Sequence, residues 1–131
     1  MAKFYYHKLP AGSKIPGYKN HAKEHVVVWS VLKFLDANGH KPYKVFDGEE
    51  SVKVDNLKEA FENAVAVEDA YVWFKDANDK KNCIRFVFGN DWSEVICDHS
   101  ERDEEFPWLM DVVFEYLGSP APCIPSVSKE V

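Results

Sequence analysis

Three stretches, "AYVWFK", "NCIRFVFG" and "SEVICD", separated by "DANDKK" and "NDW", constrain this chain's fold more than any other feature. Apolar and polar residues alternate at a period of two, and the Asp- and Asn-rich breaks are turn material. The pattern predicts a three-stranded antiparallel meander over residues 70–98. On its middle strand Ile84, Phe86 and Phe88 share one face, and Cys83, Arg85 and Val87 share the other. Both faces are substantially apolar, which places that strand inside the sheet.

Other periodicities surround the meander. Ala22, Val26, Trp29, Leu32 and Leu35 recur at steps of three and four, so a helix is expected from an N-cap at Asn20 to about Ala37, ended by Asn38 and Gly39. Val28, Val31 and Phe34 widen its apolar arc, as in a helix embedded between other elements. "YKVFDGEESVKV" reads as a hairpin turning at Asp47-Gly48. Asn56 with Glu59 three residues later fits a capping box for a short helix burying Leu57, Ala60, Phe61 and Ala64. Pro107 suits the first turn of a last helix, whose buried side uses Leu109, Val113, Tyr116 and Leu117. Residues 3–7 are expected as an edge strand and 9–20 as loop. The order α-β-β-α-β-β-β-α predicts a two-layer α+β domain over residues 1–118, with an antiparallel sheet (hairpin plus meander) and three helices. Residues 119–131 are expected as a Pro-rich extended tail. No βαβ series or glycine-rich strand-to-helix turn argues for a dinucleotide-binding sheet.

Charge is unevenly spread. The net charge is -6, yet residues 1–53 hold 9 lysines against 5 acids, and residues 54–131 hold 7 bases against 17 acids. The acidic second half would repel phosphate and attract a basic partner. Cys83, Cys97 and Cys123 form no closely spaced pair, which points to a reducing compartment, and a cytoplasmic location is expected. The first residues lack the apolar run of a signal peptide, and no segment is apolar enough to span a membrane.

Four groups of residues are candidates for chemistry. "HAKEH" places His21 and His25 one helical turn apart with Glu24 beside them, the spacing of a zinc hydrolase in which the glutamate would activate water. No third ligand is marked, and a polar first turn explains the triplet as well, so neither a metal nor any other cofactor is expected. Cys97 and His99, two apart, would share a strand face, but a small apolar cysteine at a strand end needs no catalytic role. Arg85, set between Ile84 and Phe86, must reach water or pair with a carboxylate, with Asp98, Glu94 and Asp76 in reach by sequence. Trp73 and Trp92 are anchors for a partner if exposed together, and the run Glu101, Asp103, Glu104 and Glu105 offers a negative docking edge.

A nucleic-acid surface would draw on Lys3, Lys8, Lys14, Lys19 and Lys23 interleaved with Phe4, Tyr5, Tyr6 and Tyr18. Net acidity and the absence of a recognition-helix pattern weigh against it. The reading that best fits is a small protein-binding or regulatory domain rather than an enzyme, such as an inhibitor or immunity-type protein, of phage origin or otherwise, that sequesters a basic partner. The binding set is Trp73, Arg85, Trp92, Glu101, Asp103, Glu104 and Glu105. A zinc-dependent hydrolase, a nucleic-acid accessory protein and a homodimer are the competing readings.

Overall fold

The computed structural model of the chain describes residues 3–10, 12, 22–89 and 91–118. The expected N-cap Asn20 and the tail 119–131 lie outside them. Helix α1 (Ala22–Ala37) leads into the hairpin of β1 (Lys41–Phe46) and β2 (Ser51–Lys53), then α2 (Leu57–Val65). The meander β3 (Asp69–Lys75), β4 (Lys81–Val87) and β5 (Ile96–His99) follows, with one turn of 3-10 helix (Trp92–Glu94) before β5, and α3 (Glu105–Gly118) comes last. The strands form one five-stranded sheet in the order β2-β1-β3-β4-β5, every neighbouring pair antiparallel. This is the expected α+β fold.

Local chemistry sets each boundary. The β1–β2 turn is closed by Asp47, whose Oδ1 accepts from the backbone N–H groups of Glu49 and Glu50, while Gly48 takes φ +100°. That φ is natural only for glycine. Asn56 caps α2 by accepting from Glu59 N at 2.9 Å. In the β3–β4 turn Asp76 Oδ1 accepts from the N–H groups of Asn78 and Lys80, both at 2.9 Å. This Asx geometry fixes the register Lys75↔Lys81 from which the rest of the pairing follows.

The inward face of the sheet carries Val45, Ala70, Val72, Phe74, Ile84 and Phe86, all essentially without solvent contact. Against them pack Phe61 and Ala64 of α2, Leu32 and Leu35 of α1, and Phe106, Leu109, Met110 and Val113 of α3, in one continuous core. Helix α1 is covered on nearly every side, its buried residues running from Glu24 to Leu32 without a break. Such enclosure suits the unbroken apolar run Val26-Val27-Val28, whose branched side chains lower helix propensity on their own.

The cover on α1's far side is the N-terminal segment. Residues 3–10 form no strand, contrary to the edge strand expected for 3–7. Phe4, 5% exposed, meets Phe34 and Tyr116 edge-on at 5.5 and 5.1 Å, and the N–H of His7 donates to Ser30 Oγ at 2.8 Å. Burying these rings against α1 gains more than hydrogen-bonding an edge would, because each buried Phe contributes roughly 1.5–3 kcal/mol. Burial also pushes the Tyr6 phenol up to about 12, with Tyr116 adding to the effect.

Buried polar groups tie the acidic loop to the sheet. Asn82, fully buried, donates from Nδ2 to Asp103 Oδ2 at 3.2 Å and accepts from Ser100 Oγ at 2.8 Å. Ser100 Oγ in turn accepts from Cys83 N at 2.9 Å. Asp103 Oδ1 accepts from Phe106 N at 2.9 Å, which caps α3. That backbone hydrogen bond, helped by Asn82 and the nearby His40, holds the Asp103 carboxyl below the usual range. A depressed folded pKa means its stabilisation is present at neutral pH and lost as pH falls through that value. Asp103→Ala should therefore cost about 1 kcal/mol at pH 7. Denaturant titrations at falling pH should show the gap to wild type narrowing without vanishing, since the variant also leaves the buried Asn82 amide without its acceptor, and a gap independent of pH would disprove this account.

Candidate functional site

The sequence-marked residues fall on two different surfaces. Trp73 and Arg85 point away from the helices, onto the open side of the sheet, since their neighbours Val72, Phe74, Ile84 and Phe86 point into the core. Trp92 lies on the helical side, half-buried against the core, with its ring 6.2 Å from Tyr6. The two tryptophans do not form one patch, because the 3-10 turn folds Trp92 back towards α1 and the N-terminal segment.

Arg85 pairs with none of the carboxylates expected from sequence. Its Nε and Nη2 donate to the two carboxylate oxygens of Asp69 at 2.9 and 2.6 Å. Asp69 is the diagonal neighbour across β3 and β4, where Arg85 sits opposite Tyr71 and Asp69 opposite Val87. The side-chain hydrogen bond to Arg85 holds the Asp69 carboxyl below its ordinary value. Both side chains are more than a third exposed, so the pair orients Arg85 more than it stabilises the fold.

The acidic run divides into anchored and free members. Asp103 is committed to the α3 cap and to Asn82. Glu105 Oε1 lies 2.6 Å from Nε2 of the buried His40, although its carboxylate remains largely in solvent. Glu101 and Glu104 are exposed. Glu104 and Glu105 lie at the start of α3, where the helix dipole favours negative charge.

Among the described residues, neither metal nor thiol chemistry is assembled where the sequence offered it. His21 lies outside the described residues. Glu24 is 2% exposed, and both its oxygens accept from Gly89 N, at 3.1 and 3.3 Å. His25 is equally buried, edge-on to Phe61 and Phe88. Among the described residues no group of three His, Cys, Asp or Glu could hold a metal ion. Cys97 and His99 do not share a face. The register slips between Arg85 and Phe86, leaving Cys97 as an exposed extra residue, while His99 turns towards Phe106 and Phe114 of α3. Burial pushes the Cys83 thiol up to about 12, so it stays protonated.

The described part of the basic-aromatic stretch at the N-terminus is divided, with Tyr5 exposed. Phe4 and Tyr6 are packed over α1, whereas Lys3, Lys8 and Lys23 are exposed. Lys14, Tyr18 and Lys19 lie outside the described residues.

Sequence reasoning passed over two rings. Trp108 is 54% exposed and Phe114 37%, both on α3. Helical spacing sets Glu104 four residues before Trp108, with Asp111 three after it and Glu115 seven after it, so carboxylates line the strip around the indole. The signal was present in the periodicity. Trp108 falls outside the stripe Leu109, Val113, Tyr116 and Leu117, and a tryptophan off the buried stripe of a helix is a surface tryptophan.

No protein-family model, no curated protein and no solved structure matches this chain. The functional argument therefore rests on the surfaces themselves. Among the described residues no helix is long and apolar enough to cross a membrane.

Proposed function

We propose that the chain is a protein-binding domain that docks a basic partner through the outer face of α3, acting as a stoichiometric inhibitor or regulator. The observation that carries this reading is Trp108. A solvent-exposed indole is a large apolar surface left in water, and such rings are the commonest energetic anchors of protein interfaces. Here it stands among Glu104, Glu105 and Asp111, with Glu101 on the adjoining loop and Phe114 further along the helix. Carboxylates around an aromatic anchor suit a partner that presents Lys or Arg, whose stems would cover the ring while their charges meet the acids. The charges would speed encounter, and the rings would set the lifetime of the complex. Trp73, Arg85 and Trp92 leave this docking set, and Trp108, Phe114 and Asp111 join it. The free thiols of buried Cys83 and exposed Cys97 suit a reducing compartment such as the cytoplasm.

An arginine-rich peptide titrated against the purified chain tests the reading, with tryptophan fluorescence as the signal. Binding should weaken with salt. Trp108→Ala should weaken it at least tenfold, consistent with a loss of about 2 kcal/mol for an anchor residue. Reversing Glu104 and Asp111 to lysine should reduce the association rate more than it raises the dissociation rate. Unchanged affinity in both variants would eliminate α3 as the docking face. A concentration-dependent rise in mass without peptide would favour self-association instead.

A further inference from the structure

The side of the sheet opposite the helices carries a second surface of the other sign. Phe46, Tyr71 and Trp73 project from β1 and β3, with the rings of Phe46 and Tyr71 6.0 Å apart. Tyr43 joins them because the register slips between Pro42 and Lys44, making room for one extra residue. Cations stand over these rings. Lys44 Nζ lies 5.2 Å from the Trp73 centroid and 5.8 Å from that of Tyr43, and the Arg102 guanidinium lies 5.3 Å from the Trp73 centroid. Lys75 and Lys81 approach Tyr43 at 5.4 and 6.0 Å. Lys53 stands opposite Lys44 on the neighbouring strand. None of Lys44, Lys53, Lys75, Lys81 and Arg102 forms a salt bridge among the described residues. A shallow depression of about 180 Å³ adjoins them, lined by Tyr71, Cys83, Arg85, Asp98, His99 and Ser100.

In a protein of net charge -6, this concentration of unpaired cations on one face is not an average surface. We infer that the open face of the sheet binds single-stranded nucleic acid, with phosphates meeting Lys44, Lys53, Lys75, Lys81 and Arg102 and unstacked bases lying on Tyr43, Tyr71 and Trp73. The partly exposed rings offer π-faces to unpaired bases once the flexible side chains over them swing aside to meet phosphates, and those cations then neutralise the backbone. A duplex keeps its bases stacked inside and cannot use the rings. An acidic peptide would satisfy the cations but leave the rings with nothing to stack on. Arg85, paired with Asp69 and held 5.6 Å from the Tyr71 ring, adds no free charge. This inference is independent of the α3 docking face, since it uses different residues on the opposite layer.

The test is fluorescence anisotropy of a labelled, mixed-sequence single-stranded oligonucleotide of about 12 nucleotides. The full chain should bind it, with affinity falling as salt rises. A duplex of the same sequence should bind several-fold more weakly, and polyglutamate should be a poor competitor. Trp73→Ala should weaken binding about tenfold, with Trp73→Phe recovering most of the loss. Because Trp73 points away from the core, circular dichroism should confirm an unchanged fold. Lys44→Glu with Lys75→Glu should weaken binding further and flatten its salt dependence by roughly one counterion per lysine. Trp108→Ala should bind the oligonucleotide like wild type. Lack of binding at low salt, equal binding by Trp73→Ala, equal binding of the duplex or equal displacement by polyglutamate would each overturn the inference. Those last two results would leave only a Lys-covered sheet surface with generic affinity for polyanions.

Discussion

Phe74→Ala should destabilise the protein by about 3–5 kcal/mol, the range for emptying a large aromatic site in a packed core. Phe74 lies in the middle strand of the sheet, is fully buried, and pairs across to Pro42 and Asn82. Its ring lies 6.0 Å from that of Phe106, so it joins the sheet to the first turn of α3. The backbone on both sides is held by β1 and β4, which limits how far the site can collapse. Against a total stability of roughly 5–15 kcal/mol for a domain of ordinary size, the loss is severe. Urea titration should show a lower midpoint with an unchanged slope. The adjacent Trp73→Ala makes the internal comparison, since its side chain faces outward and should cost far less. Similar losses for the two substitutions would show that the Trp73 side of β3 is packed as tightly as the Phe74 side.

Phe4→Ala should cost about 3 kcal/mol, the low end of the range for a buried aromatic, because the N-terminal segment can shift to fill part of the space. Phe4 is held between Phe34 of α1 and Tyr116 of α3, and Tyr6 meets the same Tyr116 at 5.0 Å. Without Phe4 the segment loses its one buried ring and is left with the half-buried Tyr6 against Tyr116 and Trp92, Leu9 at the edge of the core, and the hydrogen bond from His7 to Ser30. Limited proteolysis should then cut within the first ten residues well before the rest of the chain, while wild type resists. A loss below about 0.5 kcal/mol, the size expected of an ordinary surface substitution, would show that α1 does not depend on this cover.

What the sequence disclosed was whatever depends on near neighbours. The meander, the Asp47-Gly48 turn, the Asn56 cap and the Pro107 helix start all follow from residues within a few positions of one another. The sideways partners of those elements were not legible. "KFYYHK" alternates poorly and looks like a short strand. Its fate was decided by an apolar α1 surface more than twenty residues away. Arg85 was expected near Asp98, Glu94 or Asp76, yet its partner depends on a β3–β4 register that the Asp76 turn fixes. Trp73 and Trp92 look like a pair because they lie in neighbouring segments, although one faces out of the sheet and the other folds against α1. Trp108 could have been found by asking which large residues fall off a helix's buried stripe. The cationic sheet face could not, because it collects lysines from β1, β2, β3 and β4 that are scattered over some forty positions.

Glu104, Asp111 and Glu115 around α3 and Lys44, Lys53, Lys75 and Lys81 on the far side of the sheet give two opposed regions of the surface opposite local charge. In the field of a charged polymer or a charged protein such a body experiences a torque before it experiences contact. It would reach a polyanion sheet-first and a polycation helix-first, turning a small net charge into a directional approach.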